Sequence, residues 1–173
     1  EGIAFIRSQD YSSVDRYQIE NYLSILRHYD VQIAETEKRI QDYVAYTPQA
    51  RLLMTIPGVS YYSSLMITGE IGDIRRFNSA KKLTAFAGLN PSVSQSGDRC
   101  YTGHIAKQGD KHLRWMLNQC ANVAIMHDST LAKIYHRIKK RRGHNIAITA
   151  VARKMLCYIY TMLTHNIKYQ RSE

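Results

Sequence analysis

Ile19-Glu20-Asn21-Tyr22-Leu23-Ser24-Ile25-Leu26-Arg27-His28-Tyr29-Asp30-Val31-Gln32-Ile33-Ala34-Glu35-Thr36-Glu37-Lys38-Arg39-Ile40-Gln41-Asp42-Tyr43 is the stretch on which the fold turns. Ile19, Tyr22, Leu26, Tyr29, Ile33, Thr36, Ile40 and Tyr43 alternate in steps of three and four, an a/d heptad register. Ser12 or Ser13 supplies an N-cap ahead of it, with Asp15 in the first turn, and Thr47-Pro48 closes it. Thirty-odd residues at about 1.5 Å each make a rod of roughly 50 Å. Leu23 and Val44 widen the stripe, so bundle packing competes with a two-stranded seam. The tyrosines at d positions are bulky for a tight parallel dimer. A helical hairpin or a dimerising arm is expected, and residues 1–11 read as a connector.

Downstream, Leu52-Leu53-Met54-Thr55-Ile56-Pro57-Gly58-Val59-Ser60 reads as a helix broken at Pro57-Gly58, with Ser60 capping a second helix that runs to Gly72. This pattern resembles a helix-hairpin-helix, in which backbone N–H groups at the turn hold a DNA phosphate. Its usual second glycine is Ser60 here, and ordinary helix packing gives the same pattern. Residues 78–88 form a short helix with Asn78 as cap and Gly88 as stop. Leu83, Phe86 and Ala87 face the core there, and Lys81 and Lys82 face solvent. Leu89–Gly109 is the least helical stretch, a long polar loop of the kind that carries function. Asp110 caps the next helix, whose core side is Leu113, Met116, Leu117, Cys120 and Val123. A basic helix from Ser129 ends at Gly143. An amphipathic helix from Ile146 to about Ile167 carries Arg153 and Lys154 on its polar face. The expected fold is mainly α. A long coiled-coil-like arm over residues 1–48 precedes a compact helical domain with a helix-hairpin-helix element over residues 49–173.

The net charge of +10 is lopsided. Residues 1–90 hold ten Lys/Arg and ten Asp/Glu, whereas residues 91–173 hold fourteen against four. A basic half on a neutral chain points to a polyanion. No run of about 18 apolar residues is present, so no membrane partner is expected. The three cysteines, Cys100, Cys120 and Cys157, fit neither a disulfide framework nor a CxxC metal site. A reducing, cytoplasmic setting is expected, with Cys120 and Cys157 as buried thiols. The chain opens on Glu1-Gly2-Ile3-Ala4 with no signal pattern and no Met, and reads as a fragment or a cleaved product.

One constellation is more specific than any of these. Ala85-Phe86-Ala87-Gly88-Leu89-Asn90-Pro91 is followed by Gln95-Ser96-Gly97, by Gly103-His104-Ile105-Ala106-Lys107-Gln108-Gly109, and by Leu113-Arg114. Upstream lies Ile56-Pro57-Gly58-Val59 and downstream Ala150-Val151-Ala152-Arg153-Lys154. In order and rough spacing this resembles insertion-sequence transposases of the Piv DNA invertase type, over residues 50–165. The resemblance implies a DNA transposase or site-specific recombinase working through a covalent phosphoserine–DNA link. The serine matches Ser96. A metal-binding RuvC-like domain outside this chain would complete the site with Mg²⁺, and this chain itself would bind no cofactor or metal. DNA, a noncoding guide RNA and a homodimeric or tetrameric assembly are the implied partners, in a prokaryotic, nucleoid-associated setting. Where the family often has Ile-Ser-Lys, this chain has Ile105-Ala106-Lys107, which leaves Ser96 as the candidate.

The chemistry of Ser96 stands beside the resemblance. A serine hydroxyl is a weak nucleophile that needs a base or a metal, and the attacked phosphoryl group needs donors. Arg99, Lys107 and Arg114 are the candidate donors. His104 is a proton shuttle or a plain loop residue. No carboxylate relay lies beside Ser96 in sequence, and a serine in a Ser/Gly loop is otherwise a turn residue. Gly58, Ser60, Lys81, Lys82, Arg137, Lys139, Lys140, Arg141, Arg142, Arg153 and Lys154 are the candidate nucleic-acid contacts, and Lys133 belongs with them. Two other readings stay open. One is a non-catalytic DNA- or RNA-binding and dimerisation module. The other is a coiled-coil protein whose basic face meets an acidic partner.

Overall fold

The structure, a computed structural model, describes residues 2–96, 99–105 and 108–170, with 92–96 and 99–104 described by backbone only. Helices dominate: α1 (Gly2–Ser8), α2 (Ser13–Ala45), α3 (Pro48–Leu53), α4 (Tyr61–Ile71), α5 (Ala80–Phe86), α6 (Lys111–His127), α7 (Ser129–Arg142) and α8 (His144–His165). A short 3₁₀ turn, Ile74–Arg76, sits between α4 and α5. The chain divides into two compact units, one up to Arg39 and one from Ile40.

In the first unit, α1 replaces the expected connector. Arg7 grips Glu20 of α2 with Nε and Nη2, each 2.9 Å from a carboxylate oxygen. That fork raises the Arg7 guanidinium and lowers the Glu20 carboxyl from their ordinary values. Both groups are exposed, so the pair contributes little stability. Ser12 caps α2 as expected, accepting from the Asp15 N–H and donating to its carboxylate. Leu23 is buried, whereas Tyr22, Leu26, Tyr29 and Ile33 stand more than half exposed. The heptad stripe of this unit therefore lies open to solvent in the single chain.

In the second unit, α8 is the spine. Ala147, Ile148, Val151, Ala152, Met155, Leu156, Ile159 and Met162 are buried, facing α3, α5, α6 and α7. By length and composition α8 is apolar enough to cross a membrane, but this buried face makes it the core of the unit. Each fully buried Leu, Ile or Met contributes about 1.5–3 kcal/mol by leaving water. From α6, Leu113, Met116, Leu117 and Cys120 join this core as expected. Val123 does not: it is exposed, and Ala121 and Ala124 are buried instead. Small residues are needed there because the α3–α4 turn comes close. A Cβ on Gly58 would lie 2.6 Å from the Cys120 carbonyl oxygen and 2.7 Å from the Ala124 nitrogen. Burial pushes the Cys120 thiol up, which keeps it inert, while Cys157 is only half-buried.

Local capping chemistry fixes the remaining boundaries. Ser60 and Ser63 cap α4 reciprocally, and Asp110 caps α6 through the Leu113 N–H at 2.8 Å. Ser79, not Asn78, caps α5, because its hydroxyl is the one within reach of the Lys82 N–H. Asp128, itself buried, caps α7 through the Leu131 N–H and accepts from the Tyr169 hydroxyl, both at 2.8 Å. The largest departure from expectation is at residues 91–105. The long loop is an antiparallel two-stranded ribbon, β1 (Pro91–Ser96) with β2 (Arg99–Ile105).

Candidate nucleic-acid interface and serine ribbon

The register of the ribbon runs from Pro91↔Ile105 to Ser96↔Arg99, with an irregularity between Pro91 and Val93. Ser96 and Arg99 therefore end the ladder, five residue steps beyond Pro91, or roughly 17 Å along the strand. Among the described residues no helix packs closely on either strand. Gly97 and Asp98, between those two partners in sequence, and Ala106 and Lys107 lie outside the described residues. The side chains of Ser96, Arg99 and His104 lie outside them too.

Both legs of the ribbon are tied into the helices. On the first leg, Asn90 donates to the Lys81 carbonyl of α5. Its Oδ1 accepts from Thr84 Oγ1 at 2.7 Å and from Arg153 Nε at 3.3 Å. On the second leg, the Asp110 N–H donates to the Phe86 carbonyl at 2.8 Å. Gly109, at φ +130°, runs so close to Phe86 and Gly88 backbone that no side chain fits there. Arg114 closes this junction, its Nη1 donating to the Ala87 carbonyl at 2.9 Å. Arg114 thus sits at the root of the ribbon and Arg99 opposite Ser96 at its far end. By backbone register Arg99 is paired with Ser96, whereas Arg114 belongs to the opposite end of the ribbon.

Beside the root, Glu70 and Asp110 share a hydrogen bond. The Asp110 partner holds the Glu70 carboxyl above its ordinary value, with burial adding to it and His112 opposing it. Burial pushes Asp110 up in turn, but the Leu113 N–H and Glu70 outweigh it and hold Asp110 below its ordinary value. Among the described residues no group of three or more His, Cys, Asp or Glu side chains converges.

The basic candidates fall into two groups. Lys133, His136, Arg137, Lys140 and Arg141 follow Ser129 and Ala132 at steps of three and four along one face of α7. They line a shallow concavity of about 630 Å³. Leu131 and Tyr135, on the opposite face, are buried. Lys139 lies off the stripe, its ammonium 5.3 Å from the Tyr135 ring centre. Lys139, Lys140, Arg141 and Arg142 occupy the last turn, where cations also suit the helix dipole. Lys133 and Arg137 lie outside that turn and have no such structural reason. The second group, Lys81, Lys82, Arg153 and Lys154, is exposed on α5 and α8 near Asn90. Lys154 stacks over Tyr158 at 4.7 Å.

Gly58 and Ser60 have structural reasons for their identity. Gly58 lets the turn approach α6, the Val59 N–H donates to Ile56, and the Ser60 N–H donates to Ser63 Oγ. Two N–H groups around that turn are thus already engaged. Another concavity, of about 850 Å³, lies between Tyr43, Leu65, Phe77, Tyr160 and Leu163. Its one cation, Arg75, is paired with Asp73 at 3.0 Å, so it has no polyanion character. Sequence reasoning missed His136, although its step of three from Lys133 puts it on the stripe. It also missed Asn90 as the tie between α5 and α8, a contact between residues 63 apart with no local signal.

Residues 50–136 match the model of the Transposase IS116/IS110/IS902 family, a span that contains α4, α5, the ribbon and α6. The chain is 30% identical over 145 residues to a transposase for insertion sequence element IS1111A of Coxiella burnetii, covering 82% of this chain and 40% of the relative. It is 27% identical over 144 residues to the transposase for insertion sequence element IS1328 of Yersinia enterocolitica, 81% and 43% of the two chains. It is 29% identical over 153 residues to a pilin gene-inverting protein of Moraxella bovis, 84% and 48%. The chain thus spans less than half the length of these curated relatives.

Proposed function

The chain belongs to the IS116/IS110/IS902 transposase family, and from that premise we propose that it is the DNA-handling part of a recombinase whose nucleophile is Ser96. Ser96 Oγ forms a bond to a backbone phosphorus, and the P–O bond to the adjoining deoxyribose breaks. The hydroxyl proton goes to a base and the departing sugar oxygen takes one up. The phosphoserine link keeps the strand until a second DNA end displaces the serine. The observation that carries this reading is the position of Ser96 at the far end of a ribbon rooted in the family-matched residues.

Arg99, the register partner of Ser96, and Lys107 are the donors in this reading for charge that builds on the phosphate. Arg114 is a positioning residue, since its guanidinium is committed to the Ala87 carbonyl. This reading calls for Mg²⁺ in the full-length enzyme. The acidic RuvC-like domain that the resemblance implies would hold it, and no step here runs through it. The α7 stripe, with Lys81, Lys82, Arg153 and Lys154, positions DNA by its phosphates without reading sequence. A guide RNA and a homodimer or tetramer complete the assembly, and the exposed stripe of α2 favours the latter.

The test uses the full-length protein with element-end DNA, guide RNA and Mg²⁺, comparing wild type with Ser96→Ala. A protein–DNA adduct that survives denaturation and disappears in the variant, with DNA binding intact, is expected. An adduct that persists in Ser96→Ala moves the nucleophile elsewhere. The α7 stripe also favours a second reading, a nucleic-acid clamp without chemistry, in which Ser96→Ala changes neither recombination nor binding.

A further inference from the structure

Trp115 is the sole tryptophan of the chain, and it is 53% exposed on α6. Tryptophan is highly buried on average, so an indole half in solvent calls for a reason. Its neighbours at i−4 and i+4 are Lys111 and Gln119, both exposed. His112, at i−3, is exposed as well. No Asp or Glu occurs from Lys111 to His127. The nearby acids, Asp110 and Glu70, are hydrogen-bonded to each other. The second leg of the ribbon enters α6 at Asp110, so Trp115 lies little more than one helical turn from that root.

We propose that Trp115, with Lys111 and Gln119, is a stacking platform for an unpaired DNA strand at the root of the serine ribbon. Every base has a π face, so an exposed indole holds unpaired bases without regard to sequence, and a flanking ammonium meets the backbone. A duplex keeps its bases stacked on one another and offers no such face along its length. The surround argues against an apolar protein partner: the exposed helix neighbours of the indole, Lys111, His112 and Gln119, are polar. The proposal rests on the nucleic-acid reading above.

The sole tryptophan is its own reporter. The chain is titrated with an oligothymidylate of about 20 nucleotides, longer than typical single-strand site sizes, and with a duplex of equal length. Tryptophan emission and the anisotropy of labelled DNA are read together. Saturable quenching by the single strand but not by the duplex is expected. Trp115→Ala should weaken single-strand binding by about 5- to 100-fold, with duplex binding nearly unchanged and Trp115→Phe close to wild type. Far-UV circular dichroism of each variant separates a lost contact from a lost fold. Single-strand binding without quenching, or an equal loss on both DNAs in Trp115→Ala, overturns the platform while the nucleic-acid reading stands. Absence of binding to either DNA overturns both. Emission that shifts with protein concentration in the absence of DNA assigns the face to another copy of the chain and overturns the platform.

Discussion

The two ends of the ribbon are built by different means. At its root, Gly109 lies against the backbone of Phe86 and Gly88, Asp110 is hydrogen-bonded to Phe86, Arg114 clasps Ala87, and Asn90 joins α5 to α8. At its far end, the described backbone shows only the ladder partners Ser96 and Arg99. An isolated two-stranded hairpin is marginal in water. The helical body therefore supplies the rigidity and the ribbon supplies the reach. This division suits a nucleophile acting from the far end, as proposed.

The root is where that contrast is easiest to break. Gly109→Ala would force a Cβ into the Phe86 carbonyl at a φ of +130°, with backbone on both sides and nothing flexible to yield. A loss on the order of 3 kcal/mol or more is expected in urea unfolding followed by Trp115 emission, since strain and overlap add. A loss under about 1 kcal/mol, no more than a strain-free glycine replacement changes, would show that the root is no anchor. Arg114→Ala comes next. It removes the bond to the Ala87 carbonyl, and a loss of about 1–2 kcal/mol is expected. Arg114→Lys should recover only part of it, because an ammonium lacks the planar reach of a guanidinium. Full recovery would mean that charge, not this hydrogen bond, holds the junction.

These residues also mark what the sequence made legible. Asp110, Ser60 and Gly143 could be assigned because a cap is decided by three or four neighbouring residues. The core face of α6 was read correctly to Cys120 and failed at Val123, where the approach of Gly58 from elsewhere in the chain decides which residues are buried. The α1 helix was missed because seven residues carry too little periodicity to read. The ribbon was missed because Ser92, Ser94 and Ser96 lack β-branched or aromatic character. One signal was present in the sequence: the Gly-Asp dipeptide at 97–98 is among the pairs that mark a two-residue hairpin. Ser96 was singled out through the motif around it, and the basic residues of α7 through charge. The clasp of Arg114 on Ala87, a contact between residues 27 apart, had no local trace.

A smaller effect tests the root through pH. The folded Glu70 carboxyl stands above its unfolded value, so the folded state binds more protons there. Its contribution is complete below the ordinary Glu range and is lost as pH rises through the raised value. Asp110 is lowered, so its contribution is present above the ordinary Asp range and lost as pH falls through the lowered value. The root should be tightest in the window between, where Glu70 is protonated and Asp110 is not. Glu70→Gln keeps a donor for Asp110 without a titrating proton. It should flatten the decline of stability above that window, measured by urea unfolding across pH. An unchanged pH profile in Glu70→Gln would remove this pair from the anchor.

The smallest expected effect is at the other end. Ser96→Ala leaves the ladder to Arg99 intact, since backbone groups make it, and stability should stay within about 0.5 kcal/mol of wild type. The same substitution should abolish the covalent adduct. A loss of stability above about 1 kcal/mol, outside the usual surface range, would mean that the serine hydroxyl holds the far end together. The ribbon would then be anchored at both ends, and the loss of adduct would no longer separate a missing nucleophile from a displaced one. A silent melt beside a lost adduct is the combination that requires the hydroxyl to act on DNA rather than on the protein.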